Sequence, residues 1–237
     1  MKMRFLICAA AALTAGCATM PPPAHPTNIQ LVDSARQRTI PVTLYGHTGP
    51  GRPLVILSPG YGGDPGDYEF LAKPLAARGF LVAAIDHELP GDSPLPTGGD
   101  AYRERMPNWW EGARSIAYVM GELRRRRLAS PVPAVLIGHS NGGDMSMLFA
   151  TAHPQLVRAA ITLDNRRHPL PRDGRTRICS LRSSDQIADP GVLPPGADQA
   201  RLGIQIIPVP VRHDDMTDRA TSAQKDAMLA AVRRCLD

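Results

Sequence analysis

Six short apolar runs recur along most of the chain, and each is followed by a longer segment of mixed polarity. They occupy residues 54–57, 81–85, 134–137, 159–163, 178–181 and 204–209. Strands with unbroken apolar sequence are typical of parallel sheets buried on both faces. Helices are predicted at residues 67–78, 108–128, 141–153 and 222–236. The alternation predicts an α/β fold with a mostly parallel central sheet and helices on both faces.

The chain ahead of these runs has a different pattern. Residues 27–33 and 39–45 mix β-branched and polar residues around a polar turn, which predicts an antiparallel N-terminal hairpin. Two irregular connections, 87–106 and 165–176, are expected at the rim of the site, and neither is long enough for a large lid domain. The sequence therefore predicts one folded domain over residues 27–237.

Composition excludes two broad classes. Of the 237 residues, 43% are hydrophobic and 21% charged, which is typical of a globular domain rather than a disordered chain. The formal net charge of +5 is too small, and the aromatic content of 5% too low, to indicate nucleic-acid binding.

The N-terminus has the pattern of a secretory signal. Lys2 and Arg4 precede an uncharged stretch that ends in small residues at Gly16. The sequence Leu13-Thr14-Ala15-Gly16-Cys17 resembles the lipobox of bacterial lipoproteins. The resemblance implies that residues 1–16 are cleaved, that Cys17 is lipidated, and that 17–26 is a proline-rich tether.

This pattern also predicts a location. Because Ala18 follows the cysteine, the same resemblance implies a cell-envelope protein anchored in the outer membrane, facing the periplasm or the cell surface. An ordinary secreted protein, cleaved nearby, is the alternative. In an oxidising envelope Cys179 and Cys235 can form a disulfide, or they can be two separate small apolar residues.

A G-x-S-x-G sequence provides the candidate nucleophile. Gly138-His139-Ser140-Asn141-Gly142 lies between a predicted buried strand and a predicted helix, the context in which this motif presents a reactive serine. The glycines allow the sharp turn that such a serine needs. A serine hydroxyl is a poor nucleophile unless a base lies within hydrogen-bond reach.

His213 is the candidate base, because it follows the last apolar strand at the same predicted edge of the sheet. Asp185 is the preferred orienting acid, since it comes first after the strand at 178–181. Asp189, four residues later, and Asp164, at the end of the preceding strand, are the alternatives. The order Ser, Asp, His is that of α/β-hydrolases.

Two backbone amides are candidates for the oxyanion hole. The Asn141 amide lies at the helix start, and the Tyr61 amide lies in a glycine-rich loop at residues 58–63. Trp109 and Trp110 open a predicted helix near the rim. One is expected in the core, and Trp110 is the candidate for the substrate pocket.

From Thr27 to the end, the chain resembles serine α/β-hydrolases. Pro59-Gly60-Tyr61, the stretch from Gly138 to Gly143 and Asp185-Gln186-Ile187-Ala188 are similar to motifs of bacterial cutinases and polyester hydrolases. The chain is also similar to dienelactone-hydrolase-like and platelet-activating-factor-acetylhydrolase-like esterases. The resemblance implies that Asp185 is the acid, that Tyr61 forms an aromatic wall, and that His139 flanks the acyl pocket.

These patterns together predict a serine hydrolase of carboxylic esters with small or medium acyl groups, acting through an acyl-enzyme. The partners expected are a small ester substrate and the membrane, through the lipid on Cys17. Neither a cofactor nor a metal is expected, because acyl transfer to a hydroxyl needs none. The alternatives are a peptidase or amidase with the same triad, and a catalytically silent binding lipoprotein.

Overall fold

The computed structural model describes residues 25–237. Eight strands form a single sheet in the order β1-β2-β4-β3-β5-β6-β7-β8. They are β1 (Thr27–Asp33), β2 (Arg38–Tyr45), β3 (Leu54–Ser58), β4 (Leu81–Ile85), β5 (Ala134–His139), β6 (Val157–Leu163), β7 (Arg177–Arg182) and β8 (Gln205–Pro208). β2 pairs antiparallel with β1 and with β4, and every other pairing in the sheet is parallel.

Helices cover both faces of the sheet. They are α1 (Glu69–Ala77), α2 (Ala101–Arg125), α3 (Ser140–Ala152), α4 (Gly196–Leu202) and α5 (Ser222–Leu236). α2 and α3 bury Trp109, Ile116 and Phe149 in the core on one face, whereas α1 and α5 bury Leu71 and Met228 on the other. The predicted fold class, an open and mostly parallel sheet with an N-terminal antiparallel hairpin, is confirmed.

Two helices begin differently from the prediction. α2 starts at Ala101, where the side chain of Asp100 accepts the amides of Tyr102 and Arg103, and Pro107 lies inside the helix. The predicted start was residue 108, seven residues later. The predicted helix at 67–78 is a 3-10 turn (Pro65–Tyr68) followed by α1, and Asp64 rather than Asp67 is its cap. α4 was not predicted, because it is short and buries none of its residues.

The parallel strands end at one edge of the sheet. The segments that follow β3, β5, β6, β7 and β8 at this edge contain Tyr61, Ser140, Asp164, Asp185 and His213, in that order. Side chains that are far apart in sequence are thus brought together where ligands bind in α/β sheets.

A disulfide joins this sheet to the last helix. Cys179 in β7 and Cys235 in α5 are both fully buried, and their sulfur atoms are bonded. The cysteine pair considered from the sequence is therefore disulfide-bonded in the structure.

The predicted signal peptide, Cys17 and most of the tether lie outside the described residues. Within residues 25–237, no helix combines the length and the apolar character needed to cross a membrane.

Candidate active site

Ser140 lies at a sharp turn between β5 and α3. Its φ of +49° is in the left-handed region, which side chains other than glycine rarely adopt. The turn is possible because its neighbours lack Cβ atoms: one on Gly138 would lie 2.4 Å from the Gly142 carbonyl oxygen, and one on Gly142 would lie 2.1 Å from that of Pro59. The glycines of the motif are therefore required by close backbone packing.

His213 is the base that the structure brings to this serine. It follows Val211, begins a short 3-10 turn (His213–Asp215), and is 7% exposed. Its Nε2 atom lies 2.9 Å from Ser140 Oγ. A histidine in this position can accept the serine proton as the hydroxyl attacks.

The carboxylate that contacts the His213 ring is that of Asp164, not Asp185, so the preferred prediction is wrong on this point. Asp164 follows β6 directly, is completely buried, and places Oδ2 2.6 Å from His213 Nδ1. A φ of +59° turns the chain at this residue. Aspartate tolerates that conformation better than most residues do.

The partners of Asp164 keep it ionised. Its burial raises the pKa, but the hydrogen bond with His213, the charge of Arg182 and two hydrogen bonds from Ser183 lower it further, so that the net pKa lies below the usual value. Arg182 Nη2 lies 2.7 Å from Asp164 Oδ1, and Arg182 Nη1 donates to the Asn165 carbonyl at 2.6 Å. A buried arginine thus contacts one carboxylate oxygen, and the histidine contacts the other.

Asp185 contacts the same histidine through its backbone. Its Oδ1 accepts the His213 N–H at 2.7 Å, a hydrogen bond that lowers the pKa of Asp185, and Arg212 Nε lies 3.3 Å from Oδ2. Asp189 contacts the neighbouring loop with its backbone, whose N–H donates to the Arg166 carbonyl at 2.8 Å. Asp185 therefore positions the loop that carries the base and does not touch the imidazole ring.

The two candidate oxyanion donors lie on either side of the serine. Asn141 is in the first turn of α3, where backbone N–H groups have no partner within the helix. Around Tyr61, Gly60 N–H donates to Tyr68 Oη, Gly62 N–H to Glu88 Oε2, and Gly63 N–H to the Gly60 carbonyl. Within the described part of the chain, the Tyr61 N–H has no such partner and can bind an oxyanion.

A directed chain of hydrogen bonds joins three loops beneath the site. His139 Nε2 lies 3.0 Å from the His213 carbonyl, which can only accept, so the ring proton is on Nε2. Nδ1 must then accept from Tyr68 Oη at 2.7 Å, and Tyr68 Oη accepts the Gly60 N–H at 3.0 Å. Burial, together with the nearby His213, lowers the pKa of His139 to about 3, which keeps the ring neutral.

The tryptophans divide as expected between core and surface, but Trp110 does not contact the serine. Trp109 is fully buried, and its Nε1 donates to Asn141 Oδ1 at 2.8 Å, while Asn141 Nδ2 donates to Asn108 Oδ1 at 2.8 Å. Trp110 is 39% exposed and is not among the residues that line the cavity at Ser140. Trp109 is therefore the tryptophan that supports the residue next to the nucleophile.

A cavity of about 250 Å³ opens over Ser140. The residues that line it come from the loop after β3, the turn at the serine and the segment after His213: Gly60, Tyr61, Gly62, Gly63, Asp67, Tyr68, His139, Ser140, His213, Asp214, Thr217 and Arg219. Tyr61 and His139 both line this cavity, and their predicted roles at the acyl group stay predictions. Among the described residues, no cluster of histidine, cysteine or acidic side chains is suited to a metal ion.

Asp144 supports the site from within α3. This carboxyl is 1% exposed, and its Oδ1 accepts from His168 N–H at 2.8 Å, Arg167 N–H at 3.1 Å and Asn165 Nδ2 at 3.3 Å. Burial raises the pKa of Asp144 to about 6 in spite of these donors. The residue anchors the loop that immediately follows Asp164.

Comparison with known proteins agrees with this fold. Residues 49–163 match the family described as "Hydrolase_4: Serine aminopeptidase, S33". A protein of Mycobacterium phage D29, described provisionally as a non-heme haloperoxidase, is 37% identical over 49% of this chain and 37% of its own length. The sn-1-specific diacylglycerol lipase ABHD11 of Mus musculus is 31% identical over 47% of this chain and 32% of its own.

A solved structure supports the fold over a longer stretch. The ferulic acid esterase from Streptomyces cinnamoneus matches 82% of this chain and 74% of its own at 22% identity, with a TM-score of 0.57. The chain spans about a third of the length of the two sequence relatives. With the strand order and the serine turn, these matches identify the chain as a member of the α/β-hydrolase superfamily, and they support a hydrolase.

Replacing each of the two carboxylates at His213 by an amide should separate their roles. Asp164→Asn is expected to lower kcat for an activated ester by roughly 10³- to 10⁴-fold, because the amide cannot stabilise the imidazolium that forms during reaction. Asp185→Asn keeps an oxygen that accepts the His213 N–H, so its loss should stay below about tenfold. Steady-state kinetics with thermal unfolding as a folding control test this, and the reverse ranking would restore Asp185 as the acid.

Asp144→Asn should change how stability depends on pH. The folded-state pKa of about 6 exceeds the usual 3.8, so the contribution of Asp144 to stability is greatest at low pH and falls as pH rises between these values. An asparagine keeps the Oδ1 acceptor but does not ionise. Its unfolding free energy relative to wild type should therefore increase by about 2 to 3 kcal/mol between about pH 4 and pH 7.5. Denaturant titrations at both pH values measure this; a difference that does not vary with pH would contradict it.

Proposed function

We propose that this protein hydrolyses carboxylic esters with Ser140 as nucleophile, His213 as general base and acid, and Asp164 as the residue that orients the imidazole. The observation that carries the proposal is one continuous contact chain, in which Ser140 Oγ lies 2.9 Å from His213 Nε2, and His213 Nδ1 lies 2.6 Å from Asp164 Oδ2. A carboxylate that can only accept places the neutral ring proton on Nδ1. Nε2 is then free to accept the serine proton.

The proposed reaction has two half-reactions. Ser140 Oγ attacks the acyl carbon while its proton passes to His213 Nε2, and the oxyanion that forms is bound by the amides of Tyr61 and Asn141. His213 then protonates the leaving alcohol oxygen, and an acyl-enzyme remains on Ser140. Water, deprotonated by the same imidazole, attacks this ester and releases the acid.

The size of the cavity favours small and medium substrates. About 250 Å³ corresponds to roughly eight water molecules at 30 Å³ each. The lipase and esterase names of the similar proteins support ester rather than amide chemistry. The name of the matching family includes an aminopeptidase. Amide hydrolysis by the same triad is therefore the main alternative for the assay to distinguish.

The proposed setting is the cell envelope. The N-terminal pattern that ends at Cys17 supports cleavage after Gly16 and lipidation of the cysteine. Such an anchor would hold the folded domain at a membrane surface on the tether that precedes Thr27.

An active-site label tests the chemistry directly. A fluorophosphonate probe should modify Ser140, as located by peptide mass spectrometry, because only an activated serine reacts with it. Ser140→Ala should abolish labelling and lower the hydrolysis of p-nitrophenyl acetate at least about 10⁴-fold. Ser34→Ala, at the exposed turn between β1 and β2, is the matched control and should do neither.

Two outcomes would contradict the proposal. A folded protein that is neither labelled nor active towards esters would indicate a silent binding module. Higher kcat/KM for a peptide anilide than for the ester of the same acyl group would indicate a peptidase or amidase.

A further inference from the structure

The cavity at Ser140 contains three charged side chains that do not pair with one another. Asp67, Asp214 and Arg219 all line it together with Ser140 and His213. Across residues 25–237, none of these three charged groups lies within the 4.0 Å of an opposite charge that defines an ion pair.

Arg219 is fixed at its base and free at its end. The hydroxyl of the buried residue Thr217 lies 3.3 Å from the Arg219 N–H and 3.4 Å from Arg219 Nε. The two terminal nitrogens have no hydrogen-bond partner among the described residues. A guanidinium held in this way can bind a carboxylate or a phosphate with both terminal groups.

The two carboxylates lie on different walls of the same cavity. Asp67 belongs to the turn before α1, where its Oδ2 accepts the Asp64 N–H at 3.2 Å. Asp214 is exposed and follows His213 in the 3-10 turn. The cavity therefore offers one site for an anionic group and two acidic side chains for a cationic group.

The mechanism indicates which part of the ester lies here. His213 must give its proton to the leaving oxygen, so the alcohol part of the substrate has to lie beside the imidazole. The segment of chain that begins at His213 also contributes Asp214, Thr217 and Arg219 to the lining of this cavity. Asp214 and Arg219, which come from the same segment as the base, are thus placed to contact the alcohol part, and Asp67 faces them from another wall of the cavity.

We propose that this cavity selects esters whose alcohol part is zwitterionic, with an anionic carboxylate or phosphate bound by Arg219 and an ammonium group bound by Asp214 and Asp67. This inference rests on the proposed ester hydrolysis. Because the cavity of about 250 Å³ has to hold the acyl group as well, it suits an alcohol of only a few carbons that carries both groups.

Four acetate esters test the proposal, because they share the acyl group and carry differently charged alcohols, and each variant is compared with wild type on the same ester. They are ethyl acetate (neutral), acetylcholine (cationic), O-acetylglycolate (anionic) and acetylcarnitine (zwitterionic). We expect Arg219→Gln to lower kcat/KM about tenfold or more for the two substrates that carry a carboxylate, relative to ethyl acetate. Asp214→Asn should lower it selectively for the two that carry an ammonium group.

Matched variants and salt serve as controls. Asp215→Asn removes the neighbouring charge in the same turn, and Arg234→Gln removes a cation from the far end of α5; neither residue lines the cavity. Both should leave the ratios among the four esters within about twofold of wild type. Added salt should reduce the differences that the cavity variants produce.

A binding measurement separates this proposal from the proposed reaction. If no ester is hydrolysed, calorimetry can still measure the binding of carnitine and of O-phosphorylethanolamine to the wild-type protein. Binding that Arg219→Gln weakens at least about tenfold would support a zwitterion site. The affinities of the two ligands would show whether the site favours carboxylate or phosphate. The proposal is overturned if the cavity variants change all four esters equally, or if neither hydrolysis nor binding depends on Arg219 and Asp214.

Discussion

The hydrogen bond between His213 Nδ1 and the buried carboxylate of Asp164 is the interaction on which the site depends. An imidazole can present a basic Nε2 to a serine only if its proton is kept on Nδ1, and a fully buried carboxylate 2.6 Å away does this. A buried carboxylate is itself unfavourable unless it is paired with an opposite charge and accepts hydrogen bonds. Arg182, at the end of β7, provides the opposite charge, and Ser183, the next residue, donates two hydrogen bonds to the carboxylate.

The remaining contacts of the site hold Ser140 and His213 in place relative to each other. The glycines around Ser140 let β5, α3 and the loop after β3 approach closely enough to expose the hydroxyl. Tyr68 and His139 connect the oxyanion loop, the serine turn and the His213 backbone through hydrogen bonds whose directions are all determined. Asp185 holds the backbone of His213 from the opposite side. The rigidity of the site therefore comes from short contacts among loops that end neighbouring strands.

Much of the fold could be predicted from sequence. The strands of the parallel sheet are buried on both faces and therefore have unbroken apolar sequences, and the helices between them have the expected periodicity. Ser140 could be predicted because the glycines on either side of it are needed for close backbone contacts in a turn of this kind, so they leave a recognisable motif in the sequence. Trp110 was preferred over Trp109 because local sequence does not show which face of α2 meets the core. The start of α2 was not predicted, because a proline inside a helix is unusual and Pro107 lies between the cap at Asp100 and the predicted start at residue 108.

The choice of acid illustrates what sequence could not provide. Asp164 and Asp185 both follow a strand of the sheet, so their positions in the chain do not distinguish them. What separates them is the direction in which each carboxylate points: Asp164 turns towards the ring through a left-handed backbone conformation, and Asp185 reaches a backbone N–H instead. The pairing of Asp164 with Arg182 at the end of β7 likewise becomes visible only in the structure.

The resonance of the proton on His213 Nδ1 tests this account most directly. A proton shared between an imidazole and a buried carboxylate gives a proton NMR signal far downfield of the amide region. The account predicts that wild type and Asp185→Asn both show this signal and that Asp164→Asn lacks it. A signal that persists in Asp164→Asn and disappears in Asp185→Asn would contradict the central claim.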